Sequence, residues 1–173
     1  MSTKARALLR DTEPDGGEAM HTHATALFAD RHSAHAAVDQ LAQAGFARDE
    51  ITVAMSEETH EREFGASPST RSGARLTPTS GGVLSAIVAS LSPFATPGGA
   101  ALRVGGPLQS SLLRAGALSV ALFAVGMGEP EASAVRDGLL SGSIVVGVHA
   151  DADRTLLAMQ LLELAGGEGL QAA

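Results

Sequence analysis

From residue 64 to residue 128 there is not one aspartate or glutamate, although the chain carries 19 acids in its 173 residues. That stretch holds only four charges, Arg71, Arg75, Arg103 and Arg114, so it is cationic while the remainder is strongly acidic. Cysteine is absent throughout, which excludes disulfides, thiolate nucleophiles, iron–sulfur clusters and Cys-based zinc sites. A reducing compartment is compatible with that composition. Tryptophan and tyrosine are also absent and aromatics total 3%, so a core must be assembled from aliphatic and small side chains. Concentrated basic patches and stacking aromatics are both missing at a net charge of −7, which argues against nucleic acid as a partner.

Long hydrophobic runs are absent as well. The apolar segments Gly82 to Ser92 and Ala115 to Met127 fall short of the roughly 18 to 20 residues that a membrane-spanning helix needs. The basic start at Lys4, Arg6 and Arg10 runs straight into Asp11, Glu13, Asp15 and Glu18. No apolar stretch follows it, so no secretory signal is expected and a cytoplasmic location is.

The patterning predicts an α+β fold. Residues 1–20 read as a flexible polar tail. A first strand–helix–strand half spans 21–56. It comprises a strand over Thr22 to Phe28, a helix N-capped by Asp30 with Gly45 just past its end, and a half-buried strand over Glu50 to Met55. Residues 57–80 read as a polar linker and 81–128 as the apolar insertion. Residues 129–173 supply a helix opened by Glu129-Pro130 and a second half. In that half Ser143 to Ala150 is apolar on both faces, as in a central strand, and Asp151 caps a helix ended by Gly166 and Gly167. An internal repeat relates the halves at an offset of 121: Asp30, Leu41 and Gly45 match Asp151, Leu162 and Gly166. Two such halves predict a ferredoxin-like split βαβ core with its helices on one face, interrupted by an apolar helical hairpin.

Several segments carry a family resemblance. In the first half they are Ala26-Leu27-Phe28, Asp30, Ala37, Leu41, Ala44-Gly45-Phe46 and Ile51 to Val53. In the second they are Pro97-Gly98-Gly99, Gly105-Gly106-Pro107-Leu108, Gly126 to Ala132, Gly138 to Gly142, Val145-Val146 and Ala150-Asp151. Over roughly residues 23 to 168 the chain resembles bacterial general stress proteins of the YflT type that carry a glycine-rich apolar insertion. The resemblance implies a cytosolic, stress-associated, non-enzymatic role. It supplies no catalytic residue and no cofactor.

The insertion offers small residues four apart on two predicted arms. Gly82, Ala86 and Ser90 line the first arm; Ser111, Ala115 and Ser119 line the second, which also carries Phe123. Such stripes allow close helix approach. They leave three coverings open: the chain's own domain, a second copy, or a lipid surface, with Arg103 and Arg114 the cations nearest to hand. The six histidines form no HExxH motif and no Cys–His spacing, so no metal site is expected. His32 and His35, one turn apart beside Asp30, come nearest to a ligand pair. If the halves pair as expected, His149 approaches the first strand, where His21 and His23 lie. The sequence thus points to a non-catalytic stress-response protein working as a homo-oligomer or through a protein partner. A peripheral membrane protein and a small-ligand or metal-binding module are the alternatives.

Overall fold

The computed structural model describes residues 21–65 and 82–172. The expected tail over 1–20 and most of the expected linker, residues 66–80, lie outside them. The described elements are β1 (His21–Phe28), α1 (Arg31–Gln43), β2 (Ile51–Ser56), α2 (Glu57–His60) continued by a π turn (Glu61–Gly65), α3 (Val83–Val88), β3 (Ser92–Ala95), β4 (Ala101–Gly105), α4 (Pro107–Ala115), α5 (Leu118–Ala124), α6 (Glu129–Leu140), β5 (Ile144–Asp151), α7 (Ala152–Leu164) and β6 (Glu168–Ala172). Six strands form one antiparallel sheet in the order β3-β4-β2-β5-β1-β6.

The repeat is visible bond for bond. At the end of α1 the Phe46 amide donates to the Leu41 carbonyl and the Gly45 amide to Ala42. At the end of α7 the Gly167 amide donates to Leu162 and the Gly166 amide to Glu163. Gly45 and Gly166 take φ of +91° and +84° to close these turns, a region L side chains avoid. The two capping aspartates differ, however. Asp30 accepts from the Ser33 amide at 2.9 Å, whereas Asp151 stands at the N-cap of α7 without a side-chain cap bond. Asp30→Ala is therefore expected to lower the melting temperature by removing a cap worth about 1 kcal/mol, which a thermal melt beside wild type would check.

Strand alternation divides the apolar side chains into two cores. Ala24, Ala26, Phe28, Ile51, Val53, Met55, Val146 and Val148 face α1, α3 and α7. Ala54, Leu102, Val104 and Val145 face α4, α5 and α6. Helices thus cover both faces of the sheet, and the expectation of helices on one face is corrected. The second layer also explains β2. It was expected to be half-buried, but Ile51 to Met55 are buried on both sides because α4 and α6 close over Thr52 and Ala54. β5 is bonded on both edges and buried along nearly its whole length, as its uninterrupted apolar run implied.

The insertion departs most from expectation. A helical pair exists, but both arms come from its second half: α4 and α5, joined across Gly116 at φ +69°. The expected first arm shrinks to the six residues of α3, which packs on α1. Between α3 and α4, where an apolar helical hairpin was expected, lie Pro93 and the glycines at 98, 99 and 105. They build a β-hairpin whose second strand, β4, bonds to the free edge of β2. Pro93 sits on the outermost strand, where a missing N–H breaks no inner ladder. Residues 57–65 are likewise not linker. The Ser56 hydroxyl accepts from the Thr59 amide at 3.1 Å, Thr59 is buried, and Glu57 chelates Arg103 at 2.6 and 2.8 Å.

Candidate functional site

The seven insertion residues singled out from the sequence do not converge. Gly82 stands at the N-cap of α3, against His35 of α1; a Cβ there would collide with the His35 ring, so the glycine permits the approach. Ala86 is half-buried on α3 and Ser90, just past its end, donates its hydroxyl to the Ile87 carbonyl at 2.7 Å. All three belong to the α1 side of the sheet. Ser111 and Ala115 are half-buried on α4, and Ser119 and Phe123 are exposed on α5, on the opposite side. The sheet separates the two small-residue stripes, and Gly116 breaks the second one between Ala115 and Ser119.

What the second arm presents instead is large and apolar. Leu113 is 70% exposed, Val120 51% and Phe123 47%. Arg114 is the only charged residue in α4 and α5. Arg103, which the sequence offered as a second free cation, is bound by Glu57; that hydrogen bond, followed by the opposite charge, lowers the Glu57 pKa and raises that of Arg103. Desolvating the α4–α5 surface therefore costs little in ionic hydration, and its apolar side chains gain by being covered.

A second exposed set was not anticipated. On α7, Leu156 (63%), Leu157 and Leu164 (78%) face solvent. The signal was present in the run Leu156-Leu157 followed by Leu161, Leu162 and Leu164, which is too dense for one helical face. Asp153, Arg154 and Glu163 interrupt this surface with charge. Of the two, the α4–α5 surface is cheaper to bury.

The histidines resolve into separate settings. His32 is exposed, and His35 pairs with Asp39, its Nδ1 3.0 Å from the carboxylate. His60 stacks on Phe64 with ring centroids 6.1 Å apart. Among the described residues no group of three or more His, Asp or Glu side chains is arranged to hold a metal ion.

One pair stands apart. His23 of β1 lies directly opposite His149 of β5, with His21 opposite Asp151 in the same ladder. The expected approach of His149 to the first strand is thus met at His23. His149 Nδ1 and His23 Nε2 are 2.9 Å apart, so one ring donates and the other accepts. His23 is buried beneath the helical layer, beside Thr25, Thr52, Leu108, Leu122, Val125 and Met127. Burial, and after it the neighbouring His149, lowers its pKa from 6.5 to about 4, so the ring is neutral at pH 7. Sequence spacing alone could not show this pair, because its members lie 126 residues apart.

The two halves are tied elsewhere by Arg154 at the start of α7. Its guanidinium binds the Glu50 carboxylate ahead of β2, donates to the Gly45 carbonyl at 3.2 Å and lies over the Phe46 ring at 4.5 Å. Those contacts hold the α1–β2 turn against α7 and leave the α4–α5 layer as the less charged face.

No helix among the described residues is long and apolar enough to cross a membrane. No protein-family model, no curated protein and no solved structure matches the chain.

Proposed function

We propose that this chain is a non-enzymatic, cytoplasmic stress-response protein with a ferredoxin-like core that works by self-association through α4 and α5. The order β2-β5-β1-β6, with α1 and α7 against one face, supports the ferredoxin-like reading. The family resemblance supports the stress role. The observation that carries self-association is the exposure of Leu113, Val120 and Phe123 on a helical pair whose only charge is Arg114. A second copy is the favoured occupant because a like surface brings apolar side chains and no acid, so neither partner strands a buried carboxylate. A specific interface of this kind needs about 800 Å² per partner.

The test is absolute mass by light scattering after size exclusion, without detergent. The wild-type protein is expected at a discrete multiple of 17.5 kDa and the Phe123→Glu variant at 17.5 kDa, with a cooperative melt retained. Phe123 is the suitable position because its side chain is half exposed and supports no core. Ala115, by contrast, packs against the second core, and deleting the whole insertion would strip one face of the sheet. A wild-type monomer, or an oligomer indifferent to Phe123→Glu, would remove the self-association reading. Flotation of a monomer with anionic liposomes would favour the membrane-surface alternative.

A further inference from the structure

We propose that the cleft between the tip of the β3–β4 hairpin, the start of α5 and the end of α6 binds a free amphiphilic carboxylate, its alkyl chain along Pro97, Leu118 and Leu140 above the buried Leu102 and Leu139 and its head at Arg136. The cleft has a volume of about 340 Å³. Leu102, Leu118 and Leu139 are buried side chains of the second core, so its floor is fixed by packing that exists without a ligand. Pro97 and Gly98 of the hairpin tip form one wall. That tip is held by the Thr96 amide donating to the Ala100 carbonyl at 2.8 Å and by the Ala100 amide donating to the Thr96 hydroxyl at 3.0 Å. A dry cavity of about 150 Å³ takes one benzene, so this cleft takes roughly a dozen carbon atoms. Its size also falls within the range of about 300 to 1,000 Å³ typical of small-molecule sites.

Charge decides the class of the head group. Among the described residues Arg136 is the one charged side chain lining the cleft. Its side chain is 51% exposed, with Nε 3.3 Å from the Asp137 carboxylate and one terminal nitrogen 3.2 Å from the Ser133 hydroxyl. Two contacts of that length leave further guanidinium N–H groups for a planar carboxylate. The opposing walls, residues 96–102 and 117–119, come from the acid-free stretch, so no carboxylate of theirs repels the ligand. An apolar chain alone would satisfy the floor. The Arg136 rim is what selects an anion over an alcohol of equal length.

The test uses sodium decanoate and 1-decanol below their aggregation limits, with binding read by calorimetry and thermal melting on the intact chain. Decanoate is expected to bind and raise the melting temperature. Arg136→Gln is expected to weaken decanoate about tenfold while leaving decanol unchanged. Ser119→Trp, placed at an exposed lining position, is expected to fill the cleft and abolish binding of both, while melting in the absence of ligand reports that it folds. Failure of the folded wild-type protein to bind decanoate would overturn the proposal. So would decanoate binding untouched by Ser119→Trp, or equal losses for acid and alcohol in Arg136→Gln. The Phe123→Glu variant should still bind decanoate, so loss of self-association and loss of this site are told apart.

Discussion

Replacing Gly106 by alanine is expected to cost about 3 kcal/mol or more, a large part of the stability of a domain this size. Gly106 joins β4 to α4 at φ +80° and ψ −160°, a region essentially closed to side-chain-bearing residues. A Cβ there would also overlap the Ile51 carbonyl oxygen and crowd the Thr52 Cα at 2.9 Å. Those are backbone atoms of a strand bonded on both edges, so they have nowhere to move. The comparison is Gly116→Ala. Gly116 has φ +69° but nothing within 4 Å of the added methyl, so only the conformational penalty of about 1 to 2 kcal/mol applies. Urea denaturation of the two variants beside wild type measures both. Equal losses would mean that the close approach to β2 contributes nothing.

Acidification supplies the second large effect. The His23 pKa is about 4 in the folded protein and 6.5 when unperturbed. Between those values the unfolded chain binds a proton that the native state refuses. The contribution of neutral His23 is therefore fully present above pH 6.5, falls as the pH drops toward 4, and is gone below. Its upper size is about 3 kcal/mol. The surroundings offer no relief: Thr52 of β2, Leu108 of α4, Leu122 and Val125 of α5, and Val135 of α6 are all uncharged. Among the described residues its ionisable hydrogen-bond partner is His149. A second proton on the pair would set two cations at hydrogen-bond distance. His23→Gln keeps a polar side chain and does not titrate. The stability difference between wild type and this variant, measured from pH 7.5 to 4.5, is expected to shrink for the wild type across that window. Parallel curves would show that the pair carries no such linkage.

Much of the first and last thirds was legible because their elements are locally determined. Asp30, Gly45 and Gly166 mark helix ends by their own backbone chemistry, and the apolar run at Ile144 to Val148 has no exposed face to disguise it. The middle was misread for a physical reason. Leu102 and Val104 alternate over only five residues, and with a glycine-rich tip beside them they read as apolar filler. Only the open edge of β2 makes them a strand, and an edge is not a property of the segment that docks on it. The exposed leucines of α7 and the apolar face of α4 and α5 are both open to solvent; what separates them is the charge that Asp153, Arg154 and Glu163 bring to α7. The facing of His23 and His149 depended on strand order, which followed from the repeat but not from the spacing of the histidines.

The position of β1 has a consequence for how the chain acquires its structure. β1 is flanked by β5 and β6, both from the C-terminal end, and by no strand from its own half. Roughly 115 residues separate the end of β1 from the start of β5. At about 5 to 20 residues per second of synthesis, a nascent β1 waits on the order of 6 to 25 s before a neighbour exists. Until then both of its edges and its apolar residues Ala24, Ala26 and Phe28 lack their native cover. Closure of the sheet is accordingly a long-range event that sets a slow pace for folding, and the interval before it is when the chain is most open to mispairing.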